Sequence, residues 1–162
     1  TDKRIDMNKI GVVLGDLGPS QLSYYVVKNL NQKCEETAKD DVVAFVENIS
    51  THILEPDFGI MNIGEVWSFD GVLIATSVST ALQIIGSVNS AEKYFYVWDL
   101  EWMRPSGHDF QYTVKAFNDP QIKLIARSEE HAKAIKNYSN RDVIGIVDDF
   151  NIEQLYKVIQ NG

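Results

Sequence analysis

Apolar residues along this chain fall into short unbroken runs of about five, separated by longer stretches in which they recur every three or four positions. The first pattern marks strands buried on both faces, and the second marks the inner face of helices. Strands are predicted at 10–14, 42–46, 59–63, 72–75, 94–98, 122–126 and 143–147. Between them, Leu22, Tyr25, Val26 and Leu30 give a first helix that ends in the polar stretch 31–40. The polar excursion 48–57 has room for a hairpin or a short helix, and 65–69 reads as a helical turn. Leu82, Ile84 and Ile85 define a helix opened by the hydroxyls of 76–80; Phe110, Val114 and Phe117 define another, stopped at Asn118-Asp119-Pro120. Ser128 caps a helix through Ala132, Ile135 and Tyr138. Asn151 with Gln154 has the form of a capping box before Leu155, Val158 and Ile159.

Strands alternating with single helices imply one α/β domain, a doubly wound, mostly parallel, Rossmann-like sheet joined by right-handed crossovers. The unbroken runs 72–75 and 94–98 belong near its centre. A length of 162 residues suits one domain, assigned to 9–162, and the polar residues 1–8 read as a flexible extension. No apolar run approaches the roughly 20 residues of a membrane span. Cytoplasmic placement and no membrane partner are therefore expected.

Charge narrows the partners. Asp and Glu outnumber Lys and Arg 23 to 15, and no local basic patch offsets the net charge of −8, so strong nucleic-acid binding is not expected. The single Cys34 excludes an internal disulfide, and His52, His108 and His131 lack metal-ligand spacing. No metal or other cofactor is indicated.

In an open parallel sheet, ligands bind beyond the carboxyl ends of the strands. That rule selects Gly15, Asp16, Leu17 and Gly18 after the first strand, Glu47 after the second, Thr76 and Ser77 after the fourth, and Trp98, Asp99, Glu101 and Arg104 after the fifth. Arg127-Ser128 and Asp148-Asp149 end the last two. The 15–18 loop offers backbone amides and a helix start to a phosphate or a sugar hydroxyl. It lacks the Gly-Lys-Ser/Thr of a P-loop and the full Gly-x-Gly-x-x-Gly fingerprint. Glu47 nonetheless stands where a ribose-binding acid would, which keeps a nicotinamide-binding domain as an alternative. Gly15-Asp16 and Arg127 fit a phospho-acceptor receiver poorly, and no Gly-x-Ser-x-Gly elbow supports a serine hydrolase. Asp148-Asp149 suits a helix start as well as a cation. Trp98 and Trp102 serve equally as core or interface aromatics, so a non-catalytic protein-interaction module is a second alternative.

Four segments in order, the Gly loop, Tyr96-Val97-Trp98-Asp99, the run Ile125 to Lys133 and the run Gly145 to Asn151, resemble the N-terminal lobe of retaining GT-B glycosyltransferases, bacteriophage glucosyltransferases among them. The resemblance implies a lobe that receives the acceptor in a hexosyl transfer from a nucleotide-sugar co-substrate. It implies Asp99 and Glu101 as catalytic residues, Asp99 accepting a hydrogen bond from a sugar hydroxyl while Glu101 and Arg104 orient the acceptor. Gly15, Asp16, Leu17, Gly18, Thr76, Ser77, Trp98 and Ser128 would complete substrate binding. Two departures bear on activity. Trp98 replaces the histidine that often precedes that Asp, and the donor-binding second lobe would begin where this sequence ends. The expectation is a lobe inactive alone, working with a second glycosyltransferase lobe or as a homo-oligomer.

Overall fold

A computed structural model describes residues 9–36, 41–49, 51–90, 92–103 and 110–162. Seven strands, β1 (Ile10–Leu14), β2 (Val42–Val46), β3 (Gly59–Asn62), β4 (Val72–Ala75), β5 (Glu92–Tyr96), β6 (Lys123–Ala126) and β7 (Gly145–Ile146), form one sheet in the order β3-β2-β1-β4-β5-β6-β7. Every adjacent pair is parallel. The chain starts in the middle, runs out to β3, returns to β4 beside β1 and continues to β7. This is the doubly wound, Rossmann-like α/β fold, with its topological switch between β1 and β4.

Among the described residues five α-helices cover the sheet: α1 (Gln21–Glu36), α2 (Val78–Ile85), α3 (Phe110–Asn118), α4 (Glu129–Ser139) and α5 (Ile152–Asn161). Val26, Leu30, Leu155 and Ile159 of α1 and α5 pack with Val12, Ile74 and Tyr96 on one face. Ala81, Ile84, Phe117 and Ile135 of α2, α3 and α4 pack with Val13, Leu73 and Phe95 on the other. Successive strand residues thus enter different cores, which is why the runs are apolar throughout. Each fully buried large side chain contributes roughly 1.5–3 kcal/mol. β4 lies at the centre and β5 beside it, as the sequence predicts. Gly11 permits a close approach within this core: a Cβ there would meet the Phe45 ring at 2.7 Å.

Several boundaries differ from expectation. β5 starts two residues early and ends at Tyr96, although the Val97 amide still donates to the Ile125 carbonyl at 2.9 Å. β3 and β6 are each one residue shorter than expected. The strand expected at 143–147 keeps two laddered residues at the sheet edge, where it has one neighbour. α1 runs on through 31–36 because Gln, Lys and Glu are good helix formers and Cys34 still points into the core. Its Lys33 ammonium lies 4.4 Å from the Tyr156 ring centre. The described part of 48–58 contains neither hairpin nor helix. It is held to α1 by Asn31, which donates to the Glu55 carbonyl and accepts from the Asp57 amide. The helical turn near 65–69 is a 3-10 helix at Ile63–Ser68.

After β7 the chain makes a tight turn in which Asp149 (φ 43°) and Phe150 (φ 58°) are both left-handed, a conformation costly for residues with a Cβ. Three side chains from separate elements hold it. Tyr96 Oη donates to the Val147 carbonyl at 2.6 Å and accepts from the Phe150 amide at 3.1 Å. Asn29 Nδ2 donates to the Asp149 carbonyl, and the Arg127 guanidinium faces the Asp149 carboxylate at 3.5 Å.

Candidate functional site

The described residues among those selected at the strand ends share one rim of the sheet, where they form two groups. The first lies at the switch point. The Gly15 carbonyl accepts from the amides of Glu47 and Asn48, both at 3.0 Å, which ties the first loop to the end of β2. Asp16 Oδ1 accepts from the Gly18 amide at 2.8 Å, and the Asp16 carbonyl accepts from Ser23 Oγ. Ser20 Oγ accepts from the Ser23 amide and so caps α1. Leu17, between them, is only 4% exposed and inserts into the core on the α1 side.

Across the switch, Thr76 is buried, its hydroxyl donating to the Val13 carbonyl at 2.8 Å and joining β4 to β1. Ser77 and Thr80 form the reciprocal capping box that starts α2. Two carboxylates from other strands reach this helix start. Glu101 Oε2 accepts from the Val78 amide at 2.8 Å, and Glu47 Oε1 accepts from Ser79 Oγ at 3.1 Å. The partial positive charge of the helix end is therefore met by protein carboxylates.

The second group surrounds Trp98 at the ends of β5, β6 and β7. The Arg127 guanidinium stacks on the Trp98 indole, 3.5 Å from the ring centre, and donates to the Trp98 carbonyl at 3.2 Å. Trp98 is 8% exposed and its ring belongs to the core beside Tyr25 and Tyr96. Its indole is thus a core aromatic with a cation on one face. Asp99 follows on the exposed surface. Ser128 Oγ accepts from the His131 amide, capping α4 as predicted. His131 is held below its ordinary pKa by burial and by Arg127, with Asp99 and Glu130 opposing. Its Nδ1 is buried without a hydrogen-bond partner.

The structure therefore brings Gly15, Asp16, Gly18, Thr76, Ser77 and Glu101 to one part of the rim, together with Glu47. It places Trp98, Asp99 and Ser128 farther along the rim at the ends of β5 and β6, and Arg104 lies outside the described residues. Arg127 and His131 are the residues that sequence reasoning undervalued. Arg127 follows the β6 run directly, and that position was the available signal. His131 was set aside for want of metal-ligand spacing, and its proximity to Asp99 appears only in three dimensions. Among the described residues no group of three His, Cys, Asp or Glu side chains could hold a metal ion. Among them, too, no helix is long and apolar enough to cross a membrane.

The switch-point group is suited to accepting hydrogen bonds. A phosphate placed at the α2 start would face Glu47 and Glu101, and two like charges about 4 Å apart repel by roughly 4 kcal/mol near a protein surface. Hydroxyl and cationic groups meet no such penalty. No family model matches the chain, and neither does any curated protein or solved structure.

Proposed function

We propose that this domain is the acceptor-side lobe of a glycosyl-transfer system, binding a neutral, hydroxyl-rich acceptor in the crevice between the ends of β1 and β4. The observation that supports it is the occupation of the α2 N-terminus by Glu47 and Glu101. At the α2 start, where bare amides could meet a phosphate, this chain presents carboxylates, which accept strong hydrogen bonds from sugar hydroxyls. Asp99 and Glu101 contact and orient the acceptor in this reading, with Ser77 and the 15–18 loop lining the crevice. Donor contacts come from a second lobe, on this or another polypeptide, so binding of a nucleotide-sugar by these residues alone is weak.

Calorimetry with neutral oligosaccharides, nucleotide-sugars and NAD(H) tests the reading. Saturable oligosaccharide binding that Asp99→Asn abolishes supports it. Because Asp99 is exposed, that substitution should change stability by about 0.5 kcal/mol or less. A cost of about 1–3 kcal/mol with unchanged binding would instead make Asp99 a structural acid. The position of Glu47 at the end of β2 favours one other reading, a dinucleotide-binding domain with Glu47 on the ribose. Micromolar NAD(H) binding lost on Glu47→Ala would establish that alternative and end the acceptor proposal.

A further inference from the structure

The sheet edge at β3 carries a second surface. Among the described residues β3 is the last strand of the sheet on its side and is ladder-bonded only to β2. Its sequence, Gly59-Ile60-Met61-Asn62, has no charge and no proline, the devices that normally blunt an edge against further pairing. Three of its four residues are exposed, and Met61 is 43% accessible.

Apolar clefts flank this edge on both faces of the sheet. Gly59 and Met61 share a face with their register partners Val43 and Phe45. With Phe69 these residues line a cleft of about 540 Å³, left open because the β3 to β4 connection contains only the short 3-10 helix. On the other face, Ile60 joins Leu17, Val46 and Ile49 around a cleft of about 180 Å³. Ile49, at the mouth of that cleft, is 80% exposed. The larger cleft is acidic: Asp57, Glu65 and Asp70 stand against one ammonium, Lys9, which is paired with Asp70 at 3.2 Å.

We propose that the β3 edge binds an extended polypeptide by strand addition, taking apolar side chains into the clefts and lysine or arginine side chains beside Asp57 and Glu65. Main-chain bonds to the edge supply affinity, and alternate side chains on the two faces supply selection. A second copy of this chain fits less well, since it would bring the same carboxylates together between two molecules each carrying −8. The larger cleft contains no residue of the rim, so sugar binding could fail without affecting it, whereas the smaller cleft shares Leu17 with the first loop.

The test uses a fluorescein-labelled, end-capped hexapeptide of alternating valine and lysine, followed by fluorescence anisotropy with the full chain. Two control peptides carry glutamate in place of lysine, or N-methyl groups on alternate amides. Saturable binding of the lysine peptide is expected, weakened about tenfold or more by N-methylation, equivalent to losing about 1.4 kcal/mol. The glutamate peptide should not bind. Asp57→Asn with Glu65→Gln should weaken binding severalfold. Met61→Lys, a tolerated change at an exposed position, should remove binding while leaving the far-ultraviolet circular dichroism unchanged. Equal binding of the N-methylated peptide, equal binding of the glutamate peptide, or no binding would each overturn the proposal. So would a dimer in sedimentation that Met61→Lys dissociates, because the occupant would then be a second copy.

Discussion

Replacing Tyr96 by phenylalanine removes one oxygen atom and should be among the most destabilising conservative changes available to this chain. The hydroxyl is the partner of two buried backbone groups, the Val147 carbonyl at 2.6 Å and the Phe150 amide at 3.1 Å. Val147, Phe150 and Tyr96 are all 0% exposed, so solvent cannot take the place of the hydroxyl. Leaving one buried donor or acceptor unsatisfied costs about 1–3 kcal/mol. Two such groups, partly relieved by local adjustment, give an expected loss of about 2–4 kcal/mol, against a total stability of roughly 5–15 kcal/mol. At about 2–4 °C per kcal/mol for a chain of this size, the melting temperature should fall by roughly 5–15 °C. Urea unfolding should show a lower midpoint at unchanged slope, since the surface exposed on unfolding is the same. The Phe150 amide should also exchange with solvent faster, because the left-handed turn has lost the side chain that spans it. A stability change below about 0.5 kcal/mol would refute the view that Tyr96 holds this turn.

Alkaline titration should report the same burial. Tyr94 and Tyr96 are pushed from 10.0 up to about 12, burial being the main cause in both. The unfolded chain ionises first as pH rises, so the stability they contribute is fully present below pH 10 and disappears by about pH 12. Urea midpoints that stay flat across that window would contradict the assignment. Two glycines should give opposite results: a Cβ on Gly71 would lie 2.4 Å from the Lys9 carbonyl oxygen, whereas one on Gly15 would meet nothing within 4 Å. Gly71→Ala should cost about 1–3 kcal/mol and Gly15→Ala less than about 0.5 kcal/mol in the same denaturation assay. Glu101→Ala removes an acceptor from the first amide of α2 and should cost about 1 kcal/mol, read as a lower urea midpoint.

The fold is legible because each strand is a run of residues facing two cores and each helix is a stripe facing one. Ile10–Leu14 and Val72–Ala75 have sharp apolar limits, and their boundaries are found as predicted. The limits blur where an apolar run outlasts its ladder. Val97 and Trp98 are as apolar as the strand before them, but they close the core after β5 has ended. Capping chemistry is equally local: Ser77, Ser128 and Asn151 each accept from the amide three residues on. The expected reciprocal arm at Gln154 goes elsewhere, its Oε1 accepting from the Asp148 amide. The site is less legible because its relations cross the sheet. Glu101 is 23 residues from Val78, and Arg127 is 29 from Trp98. Nothing in the spacing of these residues announces their contacts.

Those cross-sheet contacts also explain how an exposed carboxylate can be positioned precisely enough to select a ligand. Asp99 sits on a segment fastened on both sides. On one side the Trp98 carbonyl is held by Arg127, whose guanidinium covers the indole and reaches Asp149. On the other, Glu101 is bonded to the start of α2, while Trp102 stacks on Tyr138 at 4.4 Å and meets Phe117 edge-on at 5.0 Å. The backbone through residues 98–103 is therefore bound to both cores and to elements on each side of β5. A ligand that accepts this geometry does not have to order the loop, which removes part of the entropy cost of binding. The same fastening separates two roles within one short segment: Trp98, Glu101 and Trp102 set the backbone, and Asp99 faces solvent. If the crevice takes the proposed acceptor, changes at the first three should move stability and ligand binding together.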